Sequence, residues 1–465
     1  MVHPGATRLR TVSEVLPARR GAPPDNLDGN IGGARLQAAA GRRNPLQPNL
    51  RIPPEMKFNT ELLHGDAVRR YAYGATLPSV CQSSAFGQNT AEVLEDVFQG
   101  RTPGYAYTRC GNPTVDALEA RLNALEGGHA TVACSSGMAA VTSALLTLAS
   151  GGGEIIASSA LFGGTAEFLD DLKRFGVKTH FLRRLTPETV KPLLNEKTKL
   201  VFCEWISNPS LDVVDLKPLA DVVHAAGVPL IVDATTVTPV LARAIDHGAD
   251  VVIESVSKYI SGSGCAVSGA IIDSGNFPWD SGKYPALAHY QSAGRSAFTA
   301  ALRNSVWKNL GGCLAPMTAF LATLGLETLG LRMERICANA RALAEALNEL
   351  PGVEVNYPGL KDHPDHALVE KQFGGLGGGI VTLKLGSEPR AFRFQNALRC
   401  AVLATNIGDV RTLVIAPEKT IFSHSTPEII AAAGVTPDTV RVSVGIEDAE
   451  DLIADFTAAV KAADL

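Results

Sequence analysis

Residues 229–234 read PLIVDA and residues 250–258 read DVVIESVSK, two short apolar runs that each end on polar chemistry. They close a pattern that begins near Thr131: TVACSS, MAAVTSALLTLA, EIIASS, GTAEFLDDLKRFG, KTHFL, KLVFCEW and LKPLADVVHAAG alternate short apolar runs with amphipathic stretches. A run of five or so apolar residues suits a strand buried on both faces, and the amphipathic stretches between such runs suit covering helices. The alternation predicts an α/β fold with a mostly parallel sheet and helices on both faces. In such sheets ligands sit at the carboxyl ends of the strands, so chemistry is sought where the runs stop.

Outward from this region, VDALEARLNALEGG is a helix with its ends marked: Asn112 can cap, Pro113 suits the first turn and Gly127-Gly128 stops it. Beyond Pro316 the pattern changes to a long helical stretch, residues 317–350, then strands EVNYP, GGIVTLKLG, AVLATN, RTLVIAP and VRVSVGI and a last helix from Asp448. This predicts a smaller C-terminal α+β domain. The segment 417–438 is long for an internal link and is a candidate active-site flap. Residues 1–55 are rich in Pro, Gly and Arg, poor in acids and without apolar periodicity, and are expected to form a mobile tail. Glu14, Asp25 and Asp28 interrupt what would otherwise suit a transit peptide, which leaves the cytoplasm as the expected location. The expected division is therefore 1–55 tail, 56–112 N-terminal arm, 113–315 large domain and 316–465 small domain.

Composition narrows the partners. The 465 residues are 46% hydrophobic, with 42 basic and 47 acidic residues spread along the chain, so no basic footprint for nucleic acid or an anionic membrane exists. The best apolar run, Met138 to Ala149, falls short of the roughly eighteen residues a membrane helix needs. Eight cysteines are scattered without a C-x-x-C pair, so neither a zinc site nor any other metal is expected. The expected partner is a small molecule.

Three features fall at strand ends. Lys258 follows ADVVIES, with Ser255 and Ser257 beside it; an isolated lysine there is usually a snorkelling surface residue, but its amine could also form an imine. Asp233 ends PLIVD, where a buried carboxylate either caps the following turn or meets a cation such as a protonated pyridine nitrogen. Ser135-Ser136-Gly137-Met138 joins a strand to a helix, and the exposed N–H groups there suit a phosphate. Each signal is weak alone, but all three belong to one sheet, in the order phosphate cup, ring-nitrogen carboxylate, imine lysine.

With these residues in view, the chain resembles the Cys/Met-metabolism enzymes that use pyridoxal 5'-phosphate (PLP) on fold type I, from about Phe58 to the end. The stretches YTRCGNPTVDALEARLNALEGG, SSGMAA, ISNP, VSKYISG and VRVSVGIEDAEDLIADF carry the likeness. LFGGT, GLETLGLRMER, VNYPGL and NIGDVRTLV are most similar to its O-acetylhomoserine sulfhydrylase branch. The resemblance implies a fold type I transferase with a mostly parallel seven-stranded sheet and helices on both faces. It implies Lys258 as Schiff-base lysine and proton carrier, Asp233 at the pyridine nitrogen and Asn208 near the phenolic oxygen. Ser136, Gly137, Met138, Ser255 and Ser257 would hold the phosphate. Tyr107 and Arg109 would reach the cofactor phosphate of a neighbouring subunit, which makes the protein at least a dimer with shared sites. Arg441 would grip the substrate carboxylate through its guanidinium fork, with Asn406 beside it.

Some positions depart from the family pattern. Phe162 stands where a ring-stacking tyrosine is usual, which keeps the stacking ring but removes the phenol from a catalytic position. Ala234-Thr235-Thr236 replaces an Asn-Thr-Phe run, and Ser263 and Ala416 also differ. The resemblance implies γ-replacement on O-acetylhomoserine, or a similar activated homoserine, by sulfide or methanethiol. The alternatives are γ-elimination of the methionine or homocysteine type, against which Gly164 speaks where lyases place a cysteine, and a cystathionine γ-synthase-like transfer. From other classes, a doubly wound dinucleotide binder lacks its G-x-G-x-x-G, and a PLP-binding relative with weakened catalysis would turn over no activated homoserine.

Overall fold

The computed structural model describes residues 56–68, 71–279 and 282–464, and the N-terminal stretch 1–55 lies outside the described residues. Seven strands form the central sheet: β1 Ala130–Cys134, β2 Gly153–Ser158, β3 Val177–Leu182, β4 Thr198–Glu204, β5 Leu230–Asp233, β6 Val251–Glu254 and β7 Gly269–Asp273. Their order is β1-β7-β6-β5-β4-β2-β3, with β7 antiparallel to both neighbours and the other pairs parallel. The apolar runs predicted six of these strands; GAIID, which forms β7, is bounded by Gly269 and is the one the alternation missed.

Burial explains why the runs are apolar throughout. Leu200, Phe202, Ile231, Val251 and Ile253 pack with helix Gly137–Ala149 on one face. Val201, Cys203, Leu230, Val232 and Val252 pack on the other face with helices Pro113–Glu126 and Leu216–Ala225. Successive residues face opposite cores, as the strand period of two requires. Helix Pro113–Glu126 has the expected ends: Asn112 accepts a hydrogen bond from the Thr114 N–H at 2.9 Å, and Gly127 adopts φ 76°.

The second sheet contains β8 Glu354–Asn356, β9 Ile380–Lys384, β10 Val402–Leu403, β11 Leu413–Ile415 and β12 Thr439–Ser443, in the order β10-β11-β12-β9-β8. Val381, Leu383, Val440 and Val442 pack under helices Leu329–Asn348, Glu388–Ala397 and Ala449–Ala463. The alternate residues of the same strands, Thr382 and Arg441, instead reach the first sheet's loops: Thr382 donates to the Pro209 carbonyl at 2.8 Å.

The predicted helical stretch 317–350 is broken into Pro316–Leu326 and Leu329–Asn348. The second of these joins the two cores, because Leu329, Met333 and Ile336 pack with the large sheet while Leu343, Ala344 and Leu347 pack with the small one. Among the described residues no helix is long and apolar enough to cross a membrane.

Candidate active site

The carboxyl ends of β4, β5 and β6 lie side by side, with Glu204 opposite Asp233 and Asp233 opposite Ile253 in the register. They open into a cavity of about 500 Å³. Its lining brings together Ser136, Gly137, Met138, Phe162, Asn208, Asp233, Ser255, Ser257, Lys258, Asn406 and Arg441, all singled out from the sequence. Tyr107 and Arg109 are elsewhere: they line a separate cleft with Cys313, where Arg109 donates to the Lys308 carbonyl at 3.0 Å. Tyr107 is 42% exposed.

Lys258 sits in the turn after β6, whose backbone alternates between site and core: Ser255, Ser257 and Lys258 are half-buried, while Val256, Tyr259 and Ile260 are buried. Its Nζ donates to Asn406 Oδ1 at 2.6 Å. Burial, and then the nearby Arg441 charge, pull the ammonium down to about 8, because a poorly solvated amine beside a cation loses its proton more easily. Arg441 is itself buried, and desolvation lowers it to about 10. Its Nη2 donates to the Asn406 carbonyl at 3.0 Å and its Nη1 reaches Asn208 Oδ1 at 3.4 Å, while Nε has no partner. Arg441 forms no ion pair with Glu447 or Asp448; Glu447 accepts from Thr412 instead. Asn406 thus ties the lysine and the arginine together.

At the opposite end, Asp233 is raised by burial and partly restored by Thr235, whose N–H donates to Oδ1 at 3.0 Å. Sequence reasoning missed its neighbour Glu204. That carboxyl is raised to about 8, by burial first and by Asp233 second, although it accepts from the Phe162 and Asn208 N–H groups at 2.6 and 2.9 Å. The signal that singled out Asp233, an acid ending an apolar run, was also present in KLVFCEW. Thr235, one of the departures from the family pattern, accepts through its hydroxyl from the Ser255 N–H at 2.8 Å and so fastens β5 to the lysine turn.

The anion cup is built closely. Ser136 caps helix Gly137–Ala149 by accepting from the Ala139 N–H at 3.0 Å, leaving the first-turn N–H groups at the cavity. A Cβ on Gly137 would lie 2.7 Å from Ser255 Oγ, so only glycine lets the two loops meet. The Ser257 hydroxyl donates to the Ser268 carbonyl at 2.9 Å and accepts from the Ser268 N–H at 2.8 Å, so its proton is engaged within the protein.

Of the departures, Phe162, Thr235 and Thr236 line the cavity, whereas Ala234, Ser263 and Ala416 do not. Segment 417–438 also stays out of the lining. Its Phe422 packs against Gly163, behind Phe162, and it contains the short helix Pro427–Ala432. Among the described residues no cluster suits a metal ion, and the eight cysteines are all free.

A helix N-terminus after β1, a half-buried acid at the end of β5 and a half-buried lysine after β6, all facing one cavity, fit PLP at its phosphate, ring nitrogen and aldehyde respectively. The chain belongs to the Cys/Met metabolism PLP-dependent enzymes, whose family model matches residues 59–461. It is a PLP-dependent, fold type I enzyme. Its relatives include homocysteine synthase of Schizosaccharomyces pombe, 41% identical over 79% of this chain and 89% of that protein. O-acetyl-L-homoserine sulfhydrylase 1 of Thermus thermophilus is 39% identical over 87% of this chain and all of that protein. Among solved structures, a Campylobacter jejuni protein named O-acetylhomoserine (thiol)-lyase, which carries N'-pyridoxyl-lysine-5'-monophosphate, superposes with TM-score 0.83 at 31% identity. It covers 87% of this chain and 100% of its own.

Proposed function

We propose that the protein catalyses γ-replacement on O-acetylhomoserine, with sulfide or methanethiol as acceptor, giving homocysteine or methionine. The observation that carries this reading is the Lys258–Asn406–Arg441 arrangement: an amine and a guanidinium bonded to one asparagine and facing one cavity. A bidentate grip by Arg441 on the carboxylate of an α-amino acid brings its Cα and side chain towards Lys258. The names of the S. pombe and T. thermophilus relatives support the substrate class.

Bound PLP supplies an electron sink for charge developing at Cα. In this reading Ser136, Gly137, Met138, Ser255 and Ser257 surround its phosphate, Asp233 with Glu204 holds its ring nitrogen, Asn208 stands by its phenolic oxygen and Phe162 stacks on its face. Lys258 would take the Cα proton, pass it on to the carbon that joins cofactor to substrate and, neutral again, take one from Cβ; the lowered pKa leaves a usable fraction of neutral amine. Asn406 orients that amine and substrate together. Phe162, Ala266 and Ile407 line the cavity with apolar surface that limits water at the reacting carbons.

The reading extends to the assembly. Tyr107 and Arg109, outside their own chain's cavity, would complete the phosphate site of a neighbouring copy, with 56–112 as the arm that delivers them and 113–315 and 316–465 as large and small domains. Eight free cysteines suit the reducing cytoplasm. A γ-elimination reading has one support, the 35% identity to L-methionine gamma-lyase of Treponema denticola. Incubating the protein with O-acetylhomoserine, with and without sulfide, separates the two. Replacement predicts homocysteine with sulfide and little 2-oxobutyrate; keto acid formed equally fast in both tubes contradicts it.

A further inference from the structure

The cavity is short of proton carriers. Among its described lining residues only Glu204, Asp233, Lys258 and Arg441 have titratable side chains. Glu204 and Asp233 sit together at the ends of β4 and β5, where the Phe162, Asn208 and Thr235 N–H groups bind them. Arg441 is a guanidinium held by Asn406 and Asn208, and gripping the substrate carboxylate commits its charge there rather than to the leaving group. Several hydroxyls are already used: Thr165 faces Met138 Sδ, Thr236 donates to the Ile206 carbonyl at 2.7 Å, and Ser257 donates to Ser268. The hydroxyls of Ser136, Thr235, Ser255 and Thr405 are aliphatic alcohols, far weaker acids than a phenol, and Phe162, Val141, Ala266, Val267 and Ile407 have no proton to give. Among the described residues that one chain supplies, Lys258 is left as the one mobile proton carrier at the reacting carbons.

One amine carries one mobile proton at a time. When Lys258 Nζ takes a proton from Cβ, the C–H electron pair becomes the Cβ–Cγ π bond and the Cγ–X pair leaves with X. Nothing else in the lining gives X a proton in that step, so X departs as an anion. A carboxylate, whose acid has a pKa of about 4, does this readily; an alkyl thiolate, with a conjugate acid near 8.5 or above, does not. We propose that Phe162, by placing a ring without an acidic group in this lining, restricts the site to carboxylate leaving groups. O-acyl homoserines are then substrates, and thioether amino acids such as methionine bind but keep their C–S bond. The proposal rests on the γ-replacement reading and adds the leaving-group class to it. Missing general-acid help is worth about 10²- to 10⁴-fold, so thioether cleavage is expected at least 100-fold slower than acetate release.

The test compares the two substrates in the PLP-loaded enzyme and adds a readout that needs no turnover. In D₂O, NMR follows loss of the Cα proton of methionine while methanethiol release is measured in parallel. The expected result is Cα exchange without methanethiol, alongside rapid acetate release from O-acetylhomoserine. Methanethiol released within about 100-fold of acetate overturns the proposal. So does an absence of Cα exchange, which would place the discrimination at binding. Failure to consume O-acetylhomoserine, with exchange intact, sinks the γ-replacement reading instead. Phe162→Tyr should raise methanethiol release relative to acetate release, and an unchanged ratio counts against the proposal. Tyr107→Phe is the control: if it alone abolishes residual thioether cleavage, the neighbouring subunit's phenol is the acid and Phe162 is not decisive.

Discussion

At the scale of single residues, Lys258 shows how placement makes an ordinary side chain reactive. An exposed lysine near pKa 10.4 is neutral about one time in 2,500 at pH 7. Burial and the Arg441 charge bring this one to about 8, which leaves about one amine in ten neutral at that pH. The neutral amine is the form that attacks the cofactor's aldehyde, so reactivity rises as pH passes through 8 and levels above it. The rate at which apo-protein takes up PLP, followed by stopped-flow absorbance, should therefore climb with a midpoint near 8. A midpoint above 10 would mean that the pocket does not act on the amine. The strand-end position of Lys258 was legible in the sequence, but its lowered pKa was not: Asn406 and Arg441 lie 148 and 183 residues away. Glu204 was missed for a different reason. Its signal matched that of Asp233, but a single pyridine nitrogen calls for only one carboxylate.

At the scale of elements, the runs from TVACSS to DVVIES were readable because strands covered on both faces must be apolar at every position. The antiparallel direction of β7 has no such signature. Nor does the break in the helical stretch at Glu327-Thr328, where the periodicity continues on both sides. The loop between β10 and β11 depends on a conformation that residue patterns do not display. Gly408 there has φ 70°, and an added Cβ would lie 2.4 Å from the Tyr259 nitrogen, directly beside Lys258. This close approach brings Asn406 to the lysine, and the Gly408 N–H is fixed by Ser443 Oγ at 2.9 Å. Gly408→Ala is expected to cost about 1–3 kcal/mol of stability, read from denaturant unfolding, and to weaken PLP retention because the Asn406 loop is pushed off the lysine turn. Unchanged stability and unchanged cofactor dissociation would show that the loop has room to move.

At the scale of the whole molecule, one chain supplies the cavity but leaves Tyr107 and Arg109 in a cleft of their own. If sites are shared between copies, two inactive variants damaged in different places should rescue each other. Mixing Lys258→Ala with Arg109→Ala chains, after unfolding and refolding together, should restore up to about a quarter of wild-type activity, since random pairing yields one intact site in four. No recovery from well-folded mixtures would confine each site to its own chain. The central claim, that Lys258 carries the cofactor, is tested most directly by absorbance. Wild-type protein incubated with PLP and freed of excess should show a visible imine band, which borohydride bleaches while fixing the label on the peptide containing Lys258. Lys258→Ala should show neither the band nor the label and should lose at least about 10³-fold in turnover. A variant that keeps the band and the borohydride-fixed label would contradict the account.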